Sequence, residues 1–288
     1  AILWSWHVWV TDEDINNVIE ITNHQNVKYN FMPVNLGQCD GNTITYEERS
    51  CKVKFIAGDQ SKEITIKQLA NVIATGSNAP FYQWGRKDPL YPSNGMGNTT
   101  KIWYDKEGIP STANPMKGTF SAGNDCIKNC ILNPNLMHNR YNGDYTYYNL
   151  WSADNKTTSA NDNPVNKTIY DPCPVGFKLP ASNAFTGFTT TGESVSSSTQ
   201  VNGTWSSSEK GWYFYTNSEK TQSIFFPALG YRSYSTMRPG SIGTQGCFWS
   251  AHPVAKGNNY YLRTSSVDVQ PTYMVDRGFG YALRPCQD

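Results

Sequence analysis

From Gly203 onward the chain is a succession of short alternating segments. "GTWSS", "WYFYT", "SIFFPALGYRS", "CFWSA", "YYLRTSS" and "GYALRPC" set aromatic or β-branched residues two apart, punctuated by Gly, Pro, Ser and Asn. A period of two is the signature of strands, and strands this close in sequence are joined as antiparallel neighbours. A layered β-structure is therefore the constraint every other reading must satisfy. The last of these segments, "DRGFGYALRPCQD", runs to the end of the sequence. Chain ends fray unless something ties them down, so this segment needs a partner.

The first half is less regular. "ILWSWHVWV" places Trp4, Trp6, Val8 and Val10 on one face and Leu3, Ser5, His7 and Trp9 on the other. This predicts a first strand covered on both faces. "CKVKFIAGDQSKEITIKQLA" predicts a hairpin: Val53 and Phe55 alternate with lysines, a Gly-Asp turn follows, then Ile64 and Ile66 alternate. A helix over 62–74, ended by Gly76, is the rival reading, and its β-branched start argues against it. From Phe81 to Asn166 the chain is dense in Gly, Pro, Asn and Tyr, and "YQWGRKDPLYPSNG" and "SADNKTTSANDNP" read as long ordered loops. A short helix is expected near Ser182, after Pro180. "GTWSSSEKGWYFYTNSEK" at 203–220 resembles "GCFWSAHPVAKGNNYYLRTSS" at 246–266, which suggests two similar hairpins stacked in one sheet. The expected fold is α+β: mostly antiparallel sheet, few short helices and long ordered loops. It reads as one domain over 1–288, with an inserted hairpin at 38–76 and a loop region at 86–166.

Composition narrows the function classes. Hydrophobic residues make up 38 % and aromatics 14 %, enough for a packed core. Charged residues are only 16 %, below the usual quarter or so, and Asn, Ser, Thr and Gly take their place. A neutral polar surface rich in Trp and Tyr suits extracellular recognition. Net charge is +1 without a basic run, so nucleic acid is not an expected partner. No apolar stretch is long enough to span a membrane. The opening lacks the basic flank and small-residue cleavage site of a secretory signal, and reads as a trimmed or mature piece of a longer precursor.

Catalytic chemistry is sparse. His7, His24, His138 and His252 are scattered, and no nucleophile elbow, zinc-protease or phosphate-loop motif is present. No cofactor is expected. Seven cysteines are present. "CIKNC" (Cys126, Cys130) is their only close pair, with nothing to complete a zinc site. Structural disulfides are the sharper reading and free buried thiols the plainer one. Cys173 in "DPCP" and Cys286 in "RPC" each punctuate a strand-like segment, which favours their pairing. Such a bridge would stabilise by about 4–5 kcal/mol in the chain-entropy model. "DNKTTSANDN" offers Asp154, Asn155, Asp162 and Asn163 as oxygen ligands for Ca²⁺, without the spacing of an EF-hand loop. Capped turns are the plainer reading of that stretch.

"ILWSWHVWVTD", "FMPVNLG", "FYQWGRKDPLYPS", "YDPCPVGFKLP", "GTWSSS", "FPALGYRS", "FWSAHP" and the terminal Arg284-Pro285 resemble the Fibrobacter succinogenes major paralogous domain. That domain occurs in surface lipoproteins and pilus-tip proteins of gut Bacteroidales. The resemblance runs from Ile2 to Pro285. It implies a C-type lectin-like fold, shared with formylglycine-generating enzymes, in which first and last strands pair. It thus expects residues 2–10 beside 279–286. The ending is also similar to variable proteins of diversity-generating retroelements, whose last strands form a scaffold for diversified contact positions. By that resemblance the ligand-binding positions are His252, Tyr261, Arg263, Gln270 and Thr272, followed by Tyr273, Met274, Asp276, Phe279 and Tyr281. Aromatics, Arg and Met are the residues of recognition surfaces.

Core packing is the plainer reading of any single aromatic here, and Trp84, Trp103, Trp205 and Trp249 are expected inside. "QPTYMVD" at 270–276 reads instead as a Pro-started, semi-exposed loop. Three functions follow. The first is a ligand-binding adhesin or receptor-binding protein on a cell surface or a phage virion. It would take a protein or glycan on another cell or host surface and use the face at 247–283. The second is a structural pilus or surface subunit. The third is an enzyme of the formylglycine-generating type, from which "MRPGSIGTQGCFWS" departs. The metal-binding triplets of animal lectins are absent, with "QPT" at 270 the nearest.

Overall fold

The computed structural model describes residues 3–38, 44–73, 79–90, 103–104, 109–111, 116–118, 123–138, 150–154 and 156–288. It is an α+β structure built mostly from small antiparallel sheets. β1 (Ile19–Thr22) and β2 (Lys28–Phe31) form the first hairpin. β3 (Ile44–Tyr46) pairs with β6 (Asn71–Ile73). Between them in sequence lies the long hairpin of β4 (Arg49–Ala57) and β5 (Gln60–Gln68). The expected hairpin is present, with Val53 facing Ile64 and Phe55 facing Lys62. The two-residue turn is made by Gly58, at φ +60°, and Asp59, since a left-handed backbone costs glycine nothing. The hairpin therefore prevails over the rival helix.

β7 (Tyr82–Gln83), β8 (Trp103–Tyr104) and β9 (Pro110–Ser111) are short. β10 (Met116–Gly118), α1 (Gly123–Leu132) and β11 (Leu136–His138) make a small parallel crossover within the stretch expected to be loop. Cys126 and Cys130 thus fall on a helix. Cys39 and the side chains of Cys126 and Trp103 lie outside the described residues. β12 (Phe177–Lys178) is followed by the 3-10 helix Ser182–Phe188, at the position expected for a short helix.

Two three-stranded meanders complete the chain. β13 (Gly203–Ser206), β14 (Gly211–Tyr215) and β15 (Ser223–Pro227) form one. β16 (Tyr231–Arg232) and β17 (Pro239–Gly240) form a short arm. β18 (Gly246–Pro253), β19 (Asn258–Thr264) and β20 (Val269–Asp276) form the second meander. The two similar sequence stretches are thus similar hairpins, but in separate sheets rather than one. β21 (Gly280–Tyr281) and β22 (Cys286–Gln287) end the chain.

The final segment is held from several sides. β21 pairs with β7 and β16, Phe248 bridges Ala282, and β22 lies between β2 and β12. The Met32 N–H donates to the Pro285 carbonyl (2.9 Å) and the Leu36 N–H to that of Leu283 (3.0 Å). The partner expected for this segment was 2–10, and that expectation is corrected: residues 3–10 form no strand, and the ladder beside Cys286 belongs to β2. The alternation of the N-terminal stretch is instead spent on side-chain bonds to the body. The Lys87 ammonium donates to the Ser5 carbonyl (2.9 Å), His7 Nδ1 and the Tyr82 hydroxyl share a bond (3.0 Å), and the Trp9 indole donates to the Gln38 carbonyl (3.0 Å).

Arg284 fixes the end of the chain from within. It is 1 % exposed. Its guanidinium donates to Asn35 Oδ1 (2.7 Å), to the carbonyls of Met32 (3.2 Å) and Pro33 (2.8 Å), and to that of Phe225 (2.6 Å). It also lies over the Phe226 ring at 4.4 Å. Burial pushes its pKa down, and the four oxygens compensate for lost water. The expected disulfide is also corrected. Cys173 and Cys286 are both buried free thiols.

The core has two parts, and the second meander divides them. Phe248, Leu262 and Val269 face a cluster built on Phe31, Phe185, Phe188, Phe214 and Phe226. Phe188 and Phe214 stack there at 3.9 Å. Cys247, Trp249 and Tyr261 face the other cluster, with Trp84, Trp151, Leu179 and Leu283. The indoles of Trp84 and Trp249 donate to the carbonyls of Ser250 (3.0 Å) and Tyr82 (2.9 Å). Trp84 and Trp249 are core as expected, while Trp205 is only half-buried against it.

Candidate functional site

The second meander is covered on both faces along β18 and most of β19, and opens toward solvent at β20, its outer strand. The stretch 270–276, expected as a loop, is the body of this strand. Pro271 fits there because a register shift between Tyr261 and Arg263 interrupts the ladder, and bulged edges tolerate proline. Tyr273 and Met274 are the exposed large residues of the strand, at 46 % and 49 %.

Tyr273 is the outer end of a packed aromatic series. It meets Tyr261 edge-on at 5.7 Å, Tyr261 meets Tyr281 at 4.7 Å, and Tyr281 meets Trp249 at 4.3 Å. The series returns to the surface through Phe279, which stacks on Tyr281 at 5.8 Å and meets Tyr231 and Tyr234 edge-on at 5.5 and 4.9 Å. Rings held this way lose little freedom when a ligand docks on them.

Three predicted contact residues lie inside. Tyr261 and Tyr281 are 4 % and 3 % exposed, and burial raises both phenol pKa values. His252 is buried too. Its Nδ1 accepts from the Ser182 N–H (3.2 Å) and faces the Ser182 hydroxyl (3.1 Å), and burial lowers its pKa. The physical reason is that a sheet covered on both sides buries inward and outward positions alike. These three are corrected from contact positions to supports.

The remaining seven gather around β20. Arg263 sits across from Gln270 and 5.8 Å from the Tyr273 ring, and its Nη1 is 2.7 Å from Asp268 Oδ2. Burial opposes its charge, and Asp268 more than offsets this, so its pKa is raised. Asp268 Oδ1 and Gln270 Oε1 are buried acceptors with no hydrogen-bond partner among the described residues. An acceptor left so costs about 1–3 kcal/mol. Thr272 is half-buried. Asp276 is also half-buried, and its Oδ1 accepts the Gly278 N–H (2.8 Å), closing the turn that delivers Phe279.

Asp268, Tyr231 and Tyr234 were not among the predicted positions. Asp268 had a signal: "RTSSVD" sets an acid across a Ser-Ser turn from Arg263, and the Ser265 N–H closes that turn on the Asp268 carbonyl (2.8 Å). Tyr231 and Tyr234 had none, because they arrive from a different arm.

The three buried thiols are in no position to react. Burial pushes Cys247 and Cys286 up to about 12 and Cys173 well above its ordinary value, and a protonated buried thiol is a poor nucleophile. Among the described residues no group of three His, Cys, Asp or Glu side chains could hold a metal ion. Asp162 of the Asn/Asp-rich stretch is engaged by Asn23 (2.6 Å), Tyr29 (2.7 Å) and Asn183 (2.9 Å). The Asp154 carboxylate caps the Lys156 N–H (3.1 Å). No helix of the described residues is long and apolar enough to cross a membrane. Comparison of the chain with family models, curated proteins and solved structures finds no match.

Proposed function

We propose that this chain is a ligand-binding module of C-type lectin-like type, displayed on a cell surface or a phage virion. Its recognition face is centred on β20. The observation that carries this reading is the half-exposed Tyr273–Met274 pair, set on an outer strand and backed by the buried Tyr261, Tyr281 and Trp249. Arg263, Gln270, Thr272 and Asp276 supply polar contacts around it, and Phe279 extends the aromatic surface. The ligand is a protein or glycan of another cell or host surface. Support for the fold assignment comes from the sheet β1-β2-β22-β12, which joins the first strands to the last. Retroelement diversification of the face is part of the same proposal, and the coding locus tests it directly through an adjacent reverse transcriptase and template repeat.

The test of binding is an alanine series at Arg263, Tyr273, Met274 and Phe279. It is read by melting temperature and by binding to a panel of surface glycans and surface proteins. Hot-spot positions lose about thirtyfold in affinity with little change in melting. Tyr261→Ala and Tyr281→Ala are the controls, and they lower the melting temperature. Melting losses at Tyr273 and Met274 without any binding partner in the panel would count against the proposal.

A further inference from the structure

Among the described residues, β4 and β5 pair with each other and with no other strand. Every residue of the two strands except Val53 is exposed. A two-stranded hairpin standing alone is marginally stable in water and needs an element packed on one face. Cross-strand partners share a face, so Cys51 with Ile66, Val53 with Ile64 and Phe55 with Lys62 lie on one side. Phe55, Ile64 and Ile66 are 56 %, 42 % and 52 % exposed there, and Cys51 is an exposed free thiol. The opposite side is polar except for Ile56. Its Lys52 is paired with Glu63 at 3.0 Å, and its Lys67 with Glu48 at 2.9 Å.

The apolar side carries charge only toward its ends, as Arg49 at one and Lys62 near the turn, and no acid. Neither cation takes part in an ion pair among the described residues. The strand from Arg49 to Phe55, which faces Lys62, spans about 20 Å. We propose that this side docks an amphipathic helix of a partner protein, with an acidic residue at each end of the helix's apolar stripe. Charge complementarity selects this partner. A second copy is disfavoured, because two such faces laid together about a two-fold axis bring Arg49 onto Arg49 or onto Lys62, cation against cation. Acids about 20 Å apart answer both cations at once. The side is two strands wide, about 10 Å, which matches the diameter of one helix. The docked helix is the second layer that a sheet with one apolar face requires. This surface is distinct from β20, and the two proposals stand independently.

The test uses the full chain and two helical peptides with one leucine stripe. The first carries glutamates about fourteen residues apart, about 21 Å along a helix; its twin carries lysines there. Calorimetry is expected to show the acidic peptide binding at least about tenfold tighter than its twin. The double variant Arg49→Glu/Lys62→Glu reverses that order. Ile64→Thr/Ile66→Thr keeps β-branched residues in the strand and weakens both peptides by about tenfold. Bound acidic peptide also protects the Cys51 thiol from maleimide, read by mass spectrometry. Should a variant fail to fold, the two peptides on the wild-type chain still decide the charge preference. Equal affinity for the two peptides overturns the proposal, as does binding indifferent to the charge reversal. A Cys51 thiol already unreactive in the free chain overturns it too, because the chain then covers this face itself. So does a dimer that Ile64→Thr/Ile66→Thr dissociates, or a preference for phosphatidylglycerol vesicles over the acidic peptide. Loss of peptide binding in Tyr273→Ala would move the peptide to β20 and overturn this site.

Discussion

The two ends of the chain carry the same kind of sequence and meet different fates. "LWSWHVWV" and "FGYALRPC" both alternate, and both are rich in aromatic and aliphatic residues. The first lies on the body by side-chain bonds and leaves Trp6, Val8 and Val10 in water. The second has Tyr281, Ala282, Leu283, Arg284 and Cys286 buried, and is paired or bridged on both sides. Alternation sets the competence to form a strand. It does not choose the partner. What distinguishes the ends is Arg284, a buried cation whose fork collects oxygens from Asn35, Met32, Pro33 and Phe225, and so from two separate stretches of chain.

Removing that residue is the most direct way to break the contrast. Arg284→Ala is expected to destabilise by about 3–5 kcal/mol, because it orphans buried acceptors and opens a cavity under Phe226. Arg284→Lys recovers only part of this, since an ammonium cannot span the same set. Urea denaturation measures both. A loss below about 1 kcal/mol for Arg284→Ala would show that the sheet contacts alone hold the end. Next in size is the difference within one aromatic series. Tyr281→Ala is expected to cost about 3 kcal/mol as a core deletion, whereas Tyr273→Ala, half-exposed, stays within about 1 kcal/mol. Equal costs would mean that Tyr273 is core, and would remove the recognition face.

Much of this was legible in the sequence. The hairpin at Arg49–Gln68 could be read because lysines and apolar residues alternate around a Gly-Asp turn. The short helix was marked by Pro180 before it, and β13, β14, β15, β18 and β19 by their own periodicity, whereas β20 has no such pattern and reads as a loop. The partition of the contact positions was not legible. Alternation implies that Tyr261 and Leu262 point to opposite sides, and they do. It carries no information on whether both sides are covered. Nor can a local pattern show that "CFWSA" belongs to a different sheet from "GTWSS", because that depends on which long-range contacts form. The Arg263–Asp268 pair spans only a short turn and could have been found.

A smaller effect belongs to the buried thiol of Cys247, in β18 between the two ends. Cys247 has a folded pKa of about 12 against an ordinary 9.0, raised by burial despite nearby Arg263. A folded value above the unfolded one means that the native state keeps its proton longer. The stabilisation is therefore complete below about 9 and is lost as pH rises toward about 12. Burial of Arg284 also acts over alkaline pH, so the informative quantity is a difference. The stability of wild type minus that of Cys247→Ala should shrink between pH 9 and 12, and stay constant from 6 to 8. A difference that does not change with pH would mean that the thiol reaches water.

The smallest effect belongs to the outward face of residues 3–10. Trp9→Phe removes an indole N–H that donates to the Gln38 carbonyl at 3.0 Å, and is expected to cost about 1 kcal/mol. Val8→Thr exchanges one β-branched side chain for another at a position that is 80 % exposed, so in the monomer it should change stability by less than about 0.5 kcal/mol. Both are to be measured by urea denaturation at concentrations low enough to keep the chain monomeric. Hydrogen exchange adds a local reading. Amides of 3–10 should exchange through local opening, and those of Leu283 and Cys286 only near the global unfolding free energy. If Val8→Thr costs as much as Trp9→Phe in the monomer, the outward face is already covered by the chain's own residues. The contrast between the two ends would then be one of degree.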